Sequence, residues 1–172
     1  MHEAVREYVA QFGTLAPVNI VDIGGRNLNG SIRGFFPNGR FTTVDIQAAR
    51  DVDVVADART WRPTTNGGAT PQVWDVVICC EVFEHVEAWR EIVATCYEVC
   101  RPGGSVIFTC AGDGRAPHSG IAATPITPGE YYGNVSPGDL AEAMLAAGFD
   151  VTECAQRGLD VQACGQRPAR WD

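Results

Sequence analysis

Four carboxylates occur where short apolar stretches of the sequence end. Each of these stretches has the length and composition of a buried parallel strand. Ligands of open α/β sheets bind beyond the carboxyl ends of the strands, so side chains placed there would contact a ligand. Carboxylates at this edge could accept hydrogen bonds from hydroxyl and amino groups, or hold a cationic group. The four are Asp22, Asp45, Asp57 and Glu81.

Each of these positions suits one part of a nucleoside that carries an amino-acid tail. Gly24 and Gly25 follow the first strand and would let the backbone turn sharply and approach a ligand closely. Asp45 could accept hydrogen bonds from both hydroxyls of a ribose. Asp57 could accept one from the exocyclic amine of an adenine. The acids after the first and fourth strands could receive an α-amino group, so the set as a whole describes an adenosine with an amino-acid tail.

The apolar periodicity predicts the elements that would position these residues. Strands that alternate with connections, then a helix and a terminal hairpin, indicate an α/β fold. We expect a doubly wound, mostly parallel seven-stranded sheet with a C-terminal antiparallel hairpin, in one domain over 1–172. Ser136 as N-cap, Pro137 and Gly148 would frame the last helix. The predicted helices are 2–12 (within an N-terminal segment 1–14), 84–100 and 136–147, and the predicted strands are 18–23, 41–46, 52–56, 74–79, 105–110, 149–156 and 159–166.

Three local features refine this scheme. Asp45 and Asp57 are so close in sequence that the connection between their strands should be a loop and not a helix. Ser31 could cap one or two helical turns over 31–36. The segment 102–104, Pro-Gly-Gly, is expected to stop the second predicted helix.

The overall composition excludes several classes of function. The net charge is −8, and all 13 basic residues are arginine. Without lysine there can be no Walker A motif, Schiff base or Tyr–Lys dehydrogenase pair. The arginines are scattered, so a nucleic-acid substrate is not expected and a cationic ligand is favoured.

The 7 cysteines show no paired spacing and are expected to be buried free thiols. No membrane-length apolar run or signal peptide is evident, which predicts a cytoplasmic protein.

Several motifs together resemble a known family. A G-x-G-x-x-G fingerprint is absent, which disfavours the competing nicotinamide dehydrogenase. In order, VDIGG, VDI, VADA, WDVVICCEVFEHV and RPGGSVIF resemble the class I S-adenosylmethionine-dependent methyltransferases, and more narrowly small methyltransferases of actinobacteria and their phages. The resemblance extends from residue 18 to about 165 and implies S-adenosylmethionine as cofactor. It implies Asp22, Gly24 and Gly25 beside the methionine part, Asp45 at the ribose, Asp57 and Ala58 at the adenine, and Cys80 and Glu81 on the methionine side near the substrate, with Ile46 also binding the cofactor.

The first loop departs from the family pattern D-x-G-x-G-x-G. Arg26 and Leu28 stand at the second and third glycine positions, and an arginine does not permit the same close approach to a ligand. We expect Asn29, with the two residues that follow it, to supply the missing amide contacts to the cofactor carboxylate.

The acceptor should lie near the Gly- and Pro-rich segment 111–135, a substrate or lid loop directly after the fifth strand. His118 in this loop could act as a general base, or could only order its own turn; His85 could share the catalytic role, or could cap and pack. Neither His2 nor a metal is given a role.

We expect methyl transfer to an oxygen or nitrogen atom of a small polar acceptor; the alternative is a non-catalytic cofactor-binding module. The chain would be a monomer or a homodimer. The residues expected to bind the acceptor are Asp113, Arg115, Tyr131 and Tyr132.

Overall fold

A computed structural model describes residues 2–28, 30–63, 72–122 and 125–169. Within them, seven strands form one sheet in the order β3-β2-β1-β4-β5-β7-β6. Strands β1 to β5 pair in parallel, and β7 pairs antiparallel with both β5 and β6. This architecture confirms the predicted fold class. The elements are α1 (Glu3–Ala10), β1 (Asn19–Ile23), β2 (Arg40–Asp45), β3 (Val54–Val55), β4 (Trp74–Cys80), α2 (Trp89–Val99), β5 (Cys100–Ala111), α3 (Pro137–Ala147), β6 (Asp150–Arg157) and β7 (Asp160–Gln166).

Both faces of the sheet are covered, which explains why its central strands are apolar along most of their length. Helices α2 and α3 cover one face, where Val93 and Leu140 pack with Val21 and Val77. On the other face Val5, Tyr8 and Val9 of α1 pack with Ile20 and Ile78. Strands buried on both faces need apolar side chains at nearly every position.

The last helix is framed as its sequence predicts. The Ser136 hydroxyl accepts a hydrogen bond from the Asp139 amide at 3.1 Å, and Pro137 is the first helical residue. Gly148 ends the helix with a φ of 104°, a conformation that favours glycine.

The second helix is shorter than predicted. Phe83–His85 form a separate 3-10 turn, and α2 starts only at Trp89. The helix ends at Val99, and β5 begins at the next residue. Pro102 and the two glycines after it therefore lie inside this strand and do not themselves end the helix. There the Gly103 amide donates to the Arg167 carbonyl at 2.8 Å, so the backbone of this segment pairs with the chain beyond β7.

Two smaller predictions concern the connections around β2. As expected, no helix lies between β2 and β3. Ser31 does not cap a longer helix: a single 3-10 turn, Arg33–Phe35, starts after buried Ile32, although the Ser31 hydroxyl accepts from the Arg33 amide at 3.2 Å.

The parallel pairing brings the carboxyl ends of β1, β2, β3 and β4 to one edge of the sheet. Each of these strands runs into a polar loop at that edge. Among the described residues, no helix is long and apolar enough to cross a membrane.

Candidate functional site

A cavity of about 780 Å³ opens at this edge of the sheet. Most of the site residues predicted from the sequence line it; of those that the structure describes, only Asp113 and Tyr132 do not. Asn29 lies outside the described residues. The predicted residues that line the cavity are Asp22, Gly24, Gly25, Asp45, Ile46, Asp57, Ala58, Cys80, Glu81, His85, Arg115, His118 and Tyr131.

The Asp45 carboxylate is held in one orientation at the end of β2. Its Oδ1 accepts from the Gln47 amide at 2.8 Å, and its Oδ2 accepts from the Arg26 amide at 3.3 Å. A carboxylate can accept about four hydrogen bonds, so acceptor capacity remains for a ligand in the cavity.

Asp22 lies deeper, at the end of β1, and is only 8% exposed. Burial raises the pKa of its carboxyl to about 7. The positive charge of Arg33 lowers this pKa, and the negative charge of the nearby Asp45 raises it. No described residue donates a hydrogen bond to Asp22. A Cβ on Gly25 would lie 2.5 Å from Asp22 Cγ, so a glycine at 25 is what lets the loop pass over this side chain.

Arg26, which stands at the second glycine position of the family pattern, is one of the residues that line the cavity. Its Nη2 donates to the Ile121 carbonyl at 2.8 Å, and its Nε lies 3.8 Å from Asp45 Oδ1. The side chain therefore connects the first loop and the ribose-position acid to the segment that carries His118.

Asp57 has a partner that the sequence did not reveal. The Arg59 guanidinium contacts it, with Nη2 at 2.6 Å from Oδ2 and Nε at 3.0 Å from Oδ1. This bond holds the pKa of Asp57 below its usual range. A ligand amine at Asp57 would share the carboxylate with Arg59, while Ile46, which is 68% exposed, offers an apolar surface at the cavity edge.

His2 is a site residue that sequence reasoning missed. Its Nε2 lies 3.4 Å from Glu81 Oε2 and 3.2 Å from Asp160 Oδ1. The bond to Glu81 raises the pKa of His2. Burial alone would raise the pKa of Glu81, but the neighbouring His2 and Arg115 outweigh this effect and hold the pKa below its usual value. No sequence pattern could have shown this contact, because only the docking of α1 on the sheet brings the N-terminus here.

Glu81 and Arg115 are both fixed by this polar network. Glu81 has a φ of 58°, an unusual value for a residue with a side chain, and Thr109 Oγ1 donates to its Oε1 at 3.1 Å. Arg115 Nη1 donates to Asp160 Oδ1 at 2.5 Å. Cys80, just before Glu81, remains a thiol because burial raises its pKa.

Two predicted acceptor-binding residues lie elsewhere. Asp113 is held at the terminal hairpin, where its amide donates to Gln156 Oε1 at 3.2 Å and its carbonyl accepts from Gln156 Nε2 at 2.9 Å. Tyr132 packs behind the cavity wall, with its ring centroid 5.6 Å from that of His85 and 5.1 Å from that of His118. Neither side chain lines the cavity.

The two predicted catalytic histidines lie together at the cavity wall. Their ring centroids are 4.9 Å apart at an interplanar angle of 87°. Burial, followed by the charge of His118, lowers the pKa of His85 to about 4. Behind them Glu84 is fully buried, and burial raises its pKa well above the usual value. Among the described residues neither oxygen of Glu84 has a hydrogen-bond partner.

Comparisons with known proteins agree on one family. A family model for a methyltransferase domain matches residues 1–154. The ubiquinone biosynthesis O-methyltransferase of Saccharophagus degradans is 30% identical over 93 residues, which are 48% of this chain and 39% of that protein. The enzyme of the same name from Pseudomonas savastanoi is 34% identical over 67 residues, or 39% of this chain and 27% of that protein. The chain thus spans well under half the length of these relatives. They are proteobacterial, so the expected likeness to actinobacterial and phage enzymes is not supported.

Solved structures share the fold. The 1,6-didemethyltoxoflavin-N1-methyltransferase of Burkholderia thailandensis superposes with a TM-score of 0.67 at 16% identity, covering 96% of this chain and 79% of that one. An S-adenosylmethionine-dependent methyltransferase from Mesorhizobium loti gives 0.66 at 15% identity, covering 95% and 96%. At these identities the likeness concerns the fold alone.

Proposed function

Because the chain belongs to the methyltransferase-domain family, we propose that it binds S-adenosylmethionine in the cavity at the strand ends and transfers the methyl group to a small polar acceptor. The observation that carries this proposal is the layout of the cavity: Asp22 and Asp45 line one part of it, and His85 and His118 line another. Among oxygen and nitrogen acceptors, the names of the aligned relatives favour an oxygen.

The residues present fit this cofactor. A cavity of about 780 Å³ is of the size that small-molecule ligands occupy. Asp45 keeps free acceptor capacity for ribose hydroxyls, and exposed Ile46 offers an apolar surface for the adenine. Asp22 is a buried carboxylate without a donor among the described residues, and a cationic α-amino group would compensate its charge.

The protein's own contribution to transfer is mostly orientation. When bound, the cofactor supplies an electrophilic methyl group on a sulfonium, which is already a good leaving group. The amide hydrogen bonds to Asp45 fix the carboxylate before a ligand arrives, so binding loses little side-chain freedom there. The bond from Arg26 to the Ile121 carbonyl holds the segment after His118 near the cofactor end. We assign the 111–135 segment the role of a lid that excludes water.

His118 is assigned the proton-accepting role toward the acceptor. Its Nδ1 lies 3.2 Å from the Ala116 carbonyl, which leaves Nε2 available to a molecule in the cavity. Arg115 and Tyr131, which line the same cavity, are assigned to acceptor binding.

Calorimetric titration with S-adenosylmethionine and S-adenosylhomocysteine tests the cofactor assignment. Asp45→Ala should weaken binding about 10- to 150-fold, because it removes charge-assisted hydrogen bonds that contribute about 1.5–3 kcal/mol. Asp113→Ala is the matched control: it removes an acid outside the cavity and should leave binding unchanged. Equal affinity of the wild type and Asp45→Ala would contradict the assignment.

A labelled-methyl screen against small hydroxyl compounds and cell extracts tests turnover. His118→Ala should slow transfer and leave S-adenosylhomocysteine binding intact. Cofactor binding without transfer to any acceptor would instead favour a non-catalytic binding module.

A further inference from the structure

Glu84, His85 and His118 come together at the cavity wall and offer one ligand atom each, all within 4.8 Å of one another. We propose that this Glu–His–His cluster binds a divalent transition-metal ion such as Zn²⁺. The three residues come from two segments, the 3-10 turn after β4 and the loop after β5, so no close sequence spacing indicates the site.

Glu84 is the observation that points to a ligand. Its side chain is fully buried, no described side chain bonds to either carboxylate oxygen, and the backbone amides of Glu84 and Ala111 lie near it without full hydrogen-bond geometry. Buried carboxyl groups are normally hydrogen-bonded, paired with a cation or bound to a metal. Glu84 Oε1 lies 3.9 Å from His85 Nε2, so one oxygen of this buried group faces the imidazole.

His118 has surroundings typical of a metal ligand, whereas His85 Nδ1 has no hydrogen-bond partner among the described residues and its ring is held by packing alone. A histidine that binds a metal usually donates its other ring N–H to a carbonyl or carboxylate. His118 Nδ1 lies 3.2 Å from the Ala116 carbonyl, which leaves Nε2 as the ligand atom. His85 is fixed by packing: a Cβ on Gly120 would lie 2.7 Å from its Cγ, and Tyr132 stands edge-on to its ring.

Two imidazoles and one carboxylate form a set that suits Zn²⁺, Co²⁺ and Fe²⁺ and leaves coordination positions open. Ligand atoms around such an ion are separated by about 3–3.6 Å, given bonds of about 2.0–2.2 Å. Side-chain rotations that close a 4.8 Å separation by about 1–2 Å would complete the site. Because His85 and His118 line the cavity, the open positions would face a molecule bound there.

The second carboxylate–histidine group, made of His2, Glu81 and Asp160, does not suit a cation. The Arg115 guanidinium already lies among these residues, with Nη1 at 2.5 Å from Asp160 Oδ1 and 3.0 Å from His2 Nε2. Its fixed positive charge would repel a metal ion. Among the described residues, no guanidinium contacts the Glu–His–His cluster. Because the group that contains His2 is not expected to bind the ion, a substitution of His2 is a matched control.

The role of the ion rests on the proposed function and narrows the acceptor to an oxygen nucleophile. An acceptor hydroxyl bound to the metal would have a lowered pKa and would give its proton to solvent water before the 111–135 segment closes over the cavity. The oxygen lone pair then forms the bond to the methyl carbon as the carbon–sulfur bond breaks, and that electron pair stays on the sulfur of S-adenosylhomocysteine. With the ion bound, His118 Nε2 would be a metal ligand, so the metal would take over the activation of the acceptor that is assigned to His118 in the metal-free protein.

Cobalt titration of the metal-stripped full chain, without cofactor or acceptor, tests the site. One equivalent of Co²⁺ should produce visible d–d absorption that Zn²⁺ displaces. Glu84→Gln and His118→Ala should each weaken Co²⁺ binding at least 10- to 100-fold, while His2→Gln should bind as the wild type does. His118 is not fully buried, so His118→Ala keeps the test decisive if Glu84→Gln fails to fold.

Absence of binding at micromolar Co²⁺, or unchanged binding in both variants, would overturn the proposal. So would a strong near-ultraviolet thiolate band, which would place the ion on a cysteine. Because this titration uses no methyl donor, its failure would leave the methyl-transfer assignment untouched, and failure of the Asp45 titration would leave the metal site untouched. In turnover assays a chelator should abolish transfer and added Zn²⁺ should restore it; transfer that a chelator does not affect would overturn the assigned role.

Discussion

Replacing Asp22 by asparagine should stabilise the ligand-free protein at alkaline pH and weaken cofactor binding. The reason is the burial of this carboxyl, which is only 8% exposed and accepts no hydrogen bond from a described residue. Burial raises its pKa from 3.8 to about 7. Ionisation of Asp22 therefore costs the folded state free energy that the unfolded state does not lose.

The sign and size of the effect follow from linkage. A pKa of about 7 in the folded state, against 3.8 when unfolded, means that the contribution of neutral Asp22 is fully present below pH 3.8 and is lost as the pH rises through 7. The complete loss corresponds to about 4 kcal/mol, of which about 3 kcal/mol falls between pH 5 and 8.5. Asparagine has the same shape without the charge, so the free energy of unfolding of Asp22→Asn should exceed that of the wild type increasingly across this range.

Urea unfolding of both proteins from pH 5 to 8.5 measures this difference directly. Asp57→Asn is a useful control, because Arg59 holds the pKa of Asp57 below this range. Calorimetry completes the test: S-adenosylhomocysteine, which carries an α-ammonium group, should bind the wild type more tightly as Asp22 ionises and should bind Asp22→Asn with little pH dependence. A stability difference that does not change with pH, or a variant less stable than the wild type at pH 8.5, would refute the reasoning.

Three further predictions concern the loops around the cavity. Arg26→Ala should speed amide hydrogen exchange over 118–122, since it removes the bond that anchors this segment; unchanged exchange would mean that the anchor is dispensable. Gly25→Ala should lower the free energy of unfolding by about 1–3 kcal/mol, because the new Cβ would meet Asp22 at 2.5 Å. His2→Gln should remove a stabilisation that is fully present below pH 6.5 and lost as the pH rises through the raised pKa of His2 beside Glu81, so the two unfolding curves should converge at alkaline pH.

The strand-end acids that line the cavity could be predicted from sequence because each of them is local to one strand. A run of buried apolar residues predicts a parallel strand, and parallel strands bring their carboxyl ends to one edge. Asp22 and Asp45 could therefore be placed at the same edge without knowing the strand order. The second helix was misjudged for a related reason: the apolar spacing continues through 83–88, where the chain forms a 3-10 turn and then an irregular segment.

The acceptor end depends on contacts that no local pattern contains. His2 reaches Glu81 only because α1 docks on the sheet, and Arg115 reaches Asp160 across 45 residues of sequence. Hydrogen bonds between loops have no periodicity, so sequence spacing could not show which residues of 111–135 line the cavity and which, like Asp113, are held at the hairpin by their backbone.

Arg26 shows how a departure from the family pattern can still be compatible with the site. A glycine at this position would let the backbone approach the ligand closely, whereas Arg26 keeps the backbone amide contact to Asp45 and sends its side chain to the Ile121 carbonyl. The same residue thus contacts the carboxylate assigned to the ribose and the segment that follows His118. Coupling between two sites is reciprocal, so if ordering of the 118–122 segment through this bond raises cofactor affinity, cofactor binding will order that segment by the same free energy. Arg26 therefore gives the donor and acceptor ends of the cavity a direct physical connection, which a glycine could not provide.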